Sequence, residues 1–144
     1  MKTLLFNLTI LAFLLASVSC GSVGVKEEKS AIADITKEKI EVYYFHNSHR
    51  CATCVAVEDV TLASLEELYS NQMQNDSLTF KSIDLEDVDS EDVIQKLEVS
   101  GQSLLIVAGS KIENLTTDAF MNARTNPDKL KELIKLTIDP LLAE

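Results

Sequence analysis

The sequence predicts an α/β fold: a three-layer sandwich in the order β-α-β-α-β-β-α, with a four-stranded mixed sheet at its centre. Three observations predict it. Short apolar or alternating runs are separated by segments that repeat with helical period. Two of the runs are joined only by Gly109-Ser110, which reads as a hairpin turn. A Cys51-Ala52-Thr53-Cys54 motif stands where the first run meets the first helical segment.

The first twenty residues lie outside that order. Lys2 supplies a basic start, Leu4 to Leu15 an apolar core, and Ser17-Val18-Ser19 a small-residue cleavage site before Cys20. A spanning helix needs about 20 apolar residues, and this core is shorter. An export signal over residues 1–19 is expected, and with it a mature protein in the bacterial cell envelope. Cys20 after small residues resembles a lipobox, which makes an acylated, periplasm-facing lipoprotein the favoured reading. Ser17 stands where a lipobox prefers Leu, Val or Ile, so cleavage by ordinary signal peptidase is the alternative. Residues 20–37, with Gly21-Ser22-Val23-Gly24 and Lys26-Glu27-Glu28-Lys29, read as a tether. Residues 38–144 remain for one domain.

Ile40 to Phe45 is apolar enough on both sides to be a central strand. Cys51 to Tyr69 reads as a helix with Val57, Val60 or Thr61, Leu65 and Leu68 on one side, and Glu58, Asp59, Glu66 and Glu67 on the wet side. Asn71 to Ser77 is a polar break, and Leu78 to Ile83 the second strand. Ser90 is placed to cap a short helix carrying Val93, Ile94 and Leu97, ending before Gly101. Leu104 to Ala108 and Lys111 to Leu115 make the hairpin. Asn126 caps the last helix with Pro127 at its first position. That helix buries Leu130, Leu133, Ile134 and Leu136, and Asp139-Pro140 ends or frays it. Strands separated by helices are expected to pair in parallel, with the hairpin as an antiparallel edge.

The net charge of −10 becomes −11 once Lys2 leaves with the signal. Positive residues form no dense stretch, so nucleic acid is not an expected partner. The acidic run from Asp84 to Asp92 lacks the Gly and ligand spacing of a Ca²⁺ loop and reads as a solvated connector. Any membrane association is expected through Cys20 alone.

A CxxC at a strand-to-helix junction places its first sulfur at a helix N-terminus, which favours the thiolate, and its second one turn on. Two-step exchange follows: Cys51 attacks a disulfide and Cys54 resolves the mixed disulfide. Arg50 is adjacent and His46 stands at the strand end, so both are expected to support the thiolate electrostatically. Two other readings stay open. His46, His49, Cys51 and Cys54 carry the ligand types of a Cys₂His₂ zinc site or a Cu(I) site, although four ligands crowd into nine residues. The pair could also be a structural disulfide in a binding module, although so short a loop is an inefficient staple.

The element order, with CxxC opening the first helix, resembles the minimal thioredoxin fold over about residues 38 to 138. The run from Tyr43 to Cys54, with its Tyr-Tyr-Phe-His start and Arg-Cys-x-Thr-Cys core, together with Gly101-Gln102-Ser103-Leu104, is similar to the bacterial ArsF family, labelled a nitrophenyl compound nitroreductase subunit. That label implies a redox-partner role; no flavin signature is present and no cofactor is expected. Three departures from thioredoxins matter. Arg50 and Ala52-Thr53 replace the active-site aromatic and Gly-Pro. Gln102 and Ser103 occupy the substrate-facing loop where a cis-proline is usual, and the first strand carries no late acid. The resemblance implies a protein or small-molecule disulfide as substrate and a redox partner that regenerates the dithiol.

Overall fold

Alternation along the central strands places side chains on two faces of one sheet. The computed structural model describes residues 38–143. The expected signal, tether and Cys20 lie outside the described residues. Strand β1 (Ile40–His46) runs into helix α1 (Ala52–Gln74), followed by β2 (Leu78–Asp84). A 3₁₀ turn (Val88–Ser90) leads into the short helix α2 (Glu91–Lys96). Strands β3 (Ser103–Ala108) and β4 (Lys111–Asn114) form the hairpin, and helices α3 (Thr116–Asn122) and α4 (Pro127–Leu142) complete the chain.

The sheet order is β2-β1-β3-β4. β1 and β2 pair in parallel, from Ile40 opposite Leu78 to His46 opposite Asp84. β3 runs antiparallel to β1, where the sequence reading expected a parallel neighbour. The link after α2 is short and turns sharply: Leu97 closes the helix, Glu98 takes φ +52, and the Val99 N–H returns to the Ile94 carbonyl at 2.9 Å. At the hairpin Gly109 has φ +56, as the first central residue of a type II′ turn requires. A Cβ there would also collide with the Glu38 carboxylate.

Ile40, Val42, Tyr44, Leu104 and Ile106 point to a face covered by α1, α3 and α4. Tyr43, Phe45, Leu105 and Val107 point to the other, where Val93, Ile94 and Leu97 from α2 and its end give partial cover. In α4 the buried stripe is Leu130, Ile134 and Ile138, at strict spacings of four. Leu136, expected inside, is 62% exposed. Asn126 caps this helix by accepting the Lys129 N–H at 3.3 Å. Pro140 does not end it: buried Ile138 and half-buried Leu141 and Leu142 hold the last turn against the core.

Other elements also depart from expectation. α1 continues beyond Tyr69, with a kink there (φ −132°, ψ 31°), so Asn71 to Gln74 are helical rather than a break. Tyr69 is buried, and its hydroxyl donates to Asp139 Oδ1 at 2.7 Å, tying the kink to α4. Ser90 occupies the cap position of α2 without a side-chain cap bond. Asp87 caps the preceding turn instead, accepting from the Asp89 N–H at 3.1 Å. Helix α3, which buries Ala119, was not expected at all.

Candidate active site at the β1–α1 junction

Buried Phe45 ends the apolar stretch of β1, and the chain then crosses residues 47–50 before α1 begins at Ala52. Cys51 is the N-cap: it is exposed, with extended backbone, and its Sγ accepts the Cys54 N–H at 3.2 Å. A sulfur thus takes the role usually held by a Ser or Asp oxygen. The first turn of α1 carries no acid of its own to offset the helix dipole. The Cys51 thiol is held below its ordinary value, first by the Cys54 side chain and then by the Cys54 backbone N–H.

Cys54 is buried, 2% exposed, one turn along. Its carbonyl accepts the Tyr44 hydroxyl at 2.9 Å and the Arg50 Nη2 at 3.4 Å. Its thiol donates to Gln102 Oε1 at 3.7 Å. Tyr44 is fully buried, and burial first, with the nearby Cys54 side chain second, pushes its hydroxyl up to about 12. It therefore acts here as a neutral donor. Both cysteines are free thiols in this structure.

Arg50 folds back over α1 instead of addressing Cys51. It pairs with Glu58, its guanidinium carbon lies 5.7 Å from the Tyr44 ring centre, and its Nε is buried without a hydrogen-bond partner. Glu58, expected on the wet side, is the counter-ion that this geometry requires. Arg50 thereby bonds the backbone of the second cysteine and shares its charge with Glu58.

His46 ends β1 with its Nδ1 3.0 Å from the Asn47 carbonyl and its ring 5.7 Å from that of Tyr44. His49 is exposed in the loop. Among the described residues no hydrogen bond joins either histidine to a sulfur, and no group of three or more His, Cys, Asp or Glu could hold a metal ion. The ligand set His46, His49, Cys51 and Cys54 is not brought together.

The acidic connector does more than solvate a turn. Asp84 Oδ2 accepts the Ser48 hydroxyl at 2.7 Å, and Glu86 Oε1 accepts the Ser48 N–H at 3.3 Å. These bonds clasp the loop before Cys51 to the end of β2. The Glu86 N–H first, and then the Ser48 hydroxyl, hold Asp84 below the usual carboxylate range. Sequence reasoning missed Tyr44, Glu58, Ser48 and Asp84 as site residues. Only the register of β1 against β2, which sets His46 beside Asp84, could have signalled the clasp. Gln102 lies in the loop before β3 and meets Cys54, while the Ser103 hydroxyl turns back to the Gly101 carbonyl at 2.8 Å. All peptide bonds among the described residues are trans.

A β2-β1-β3-β4 sheet with β3 antiparallel, and a CxxC cap on the helix after the central strand, defines a thioredoxin-like α/β protein. Similar solved structures include oxidised thioredoxin O2 from Arabidopsis thaliana, with 20% identity, a TM-score of 0.48, and cover of 69% of this chain and 75% of that one. Another is the germline-specific thioredoxin Deadhead from Drosophila melanogaster, at 18% identity and TM-score 0.43, covering 72% of this chain and 85% of that one. A malarial protein is similar at 12% identity and TM-score 0.43, over 65% of this chain and 96% of its own. No protein-family model and no curated protein matches the chain.

Proposed function

We propose that the protein is an exported thiol–disulfide oxidoreductase in which Cys51 attacks and Cys54 resolves. The observation that carries this reading is the asymmetry of the pair. Cys51 is exposed and accepts a backbone N–H at the helix start, while Cys54 is buried one turn behind it. A thiolate stabilised at an accessible position is the nucleophile that exchange needs. The substrate is a protein or small-molecule disulfide, and a redox partner restores the dithiol. The similarity of the Tyr43–Cys54 stretch to the ArsF family supports a role as redox partner of another enzyme. Cys20, following a lipobox-like sequence, anchors the domain in the cell envelope through the tether of residues 20–37.

Trapping in its own envelope tests the reading. Cys54→Ser accumulates mixed disulfides that reductant releases, and Cys51→Ser accumulates none. Equal capture by both variants, or capture by neither, sinks it. Labelling with a radioactive fatty acid tests the anchor: label present in wild type and lost in Cys20→Ser is the expected pattern.

A further inference from the structure

Groups from different elements fix Cys54. Its N–H is taken by Cys51 Sγ at 3.2 Å, and its carbonyl by Tyr44 at 2.9 Å and Arg50 at 3.4 Å. The backbone of this residue is therefore held in place. Its sulfur reaches another element: the thiol donates to Gln102 Oε1 at 3.7 Å. Gln102 comes from a distant part of the chain, presented by the turn that the Ser103 hydroxyl closes on the Gly101 carbonyl.

A side-chain amide has two opposite functions at one end. Its carbonyl accepts from a thiol, and after half a rotation its N–H₂ donates to a thiolate. We propose that Gln102 is a positioning residue that decides when the second sulfur carries charge: its carbonyl holds the Cys54 proton while Cys51 attacks, and its N–H steadies the Cys54 thiolate during resolution. The inference rests on the exchange reading above. In the first step the Cys51 thiolate attacks a disulfide RS–SR′. The Cys51–SR bond forms, the RS–SR′ bond breaks, and R′S⁻ departs with the electron pair. In the second step the Cys54 proton passes to solvent and the resulting thiolate attacks Cys51 Sγ. The Cys51–Cys54 bond forms as RS⁻ leaves and takes a proton from solvent. The dithiol has lost two electrons and the substrate disulfide has gained them.

The two steps can be timed separately in the full chain, with Cys20→Ser in every sample so that only the CxxC reacts. Reduced protein is mixed with one equivalent of dithiobis(nitrobenzoate), whose coloured thiolate is released once on attack and once on resolution. Gln102→Leu keeps the bulk and removes both amide functions. Its second release is expected to slow by about tenfold or more relative to its first, as for a lost hydrogen bond to a charged group. Gln102→Glu keeps an acceptor and loses the donor, so its second release slows as well. An unchanged second release in either variant, or equal slowing of both releases, overturns the proposal. A parent protein that releases only one equivalent overturns the exchange reading itself and takes the proposal with it, so the two failures are told apart.

Discussion

The two faces of the sheet are built from neighbouring residues and carry unequal loads. On one face Tyr44, Leu104 and Ile106 meet α1, α3 and α4, and this layer fixes the helix that opens with the CxxC motif. On the other, Tyr43, Leu105 and Val107 meet the short α2, leaving a concavity of about 830 Å³ bounded by Glu41, Lys81 and Lys96. The adjacent tyrosines display the contrast. Tyr44 spends its hydroxyl on the Cys54 carbonyl at 2.9 Å, deep in the core. Tyr43 meets Lys81 Nζ at 3.3 Å near the rim, beside the Lys81–Glu41 pair. Stability and site geometry are therefore concentrated on the face that carries α1, and the other face is free to be thin.

The same substitution at adjacent positions is the strongest way to break this contrast. Leu104→Ala opens a cavity beneath three helices and should cost about 4 kcal/mol, whereas Leu105→Ala lies under thin cover that can settle and should cost about 2 kcal/mol. Denaturant unfolding measures both; equal costs would remove the claim of unequal loads. The tyrosines give the next effect. Tyr44→Phe removes a buried donor, for about 1 kcal/mol, and should also slow exchange by loosening Cys54. Tyr43→Phe keeps the ring and should stay within about 0.5 kcal/mol, with exchange unchanged. Loss of exchange in Tyr43→Phe would show that the thin face also supports the site.

The smallest effect belongs to the junction. The folded state holds the Cys51 thiol below its ordinary value, so its thiolate stabilises the reduced fold above the unfolded-state pKa. That contribution is lost as pH falls through the folded value. Reduced wild type should therefore gain stability over Cys51→Ser as pH rises from neutral through the ordinary thiol range. A difference that stays flat with pH would contradict the thiolate assignment.

Much of this was legible in the chain, for physical reasons that also mark where reading stopped. The continuous apolar run through Tyr43 and Tyr44, the Gly109-Ser110 junction and the Asn126-Pro127 start each carry a local signal, and each element formed. Strand direction does not: periodicity is the same both ways, so the antiparallel placement of β3 depended on the tight turn at Glu98. Helix α3 was silent because Leu115 at its cap makes no side-chain bond, and its buried contacts are small alanines. Glu58 was assigned to water on helical phase alone. Its partner Arg50 reaches it only because the loop before Cys51 folds back over α1. Gln102 was read as part of a substrate-facing loop; its contact with Cys54 spans 48 positions of sequence and belongs to the tertiary fold.

The central claim is that Cys51 and Cys54 form a dithiol that opens and closes in exchange. Equilibrating the full chain against buffers of graded thiol–disulfide ratio measures its reduction potential directly. The account predicts a reversible two-electron transition above about −300 mV, within reach of other exchange proteins. A pair that stays oxidised below that value would be a structural disulfide, and the exchange reading would be wrong.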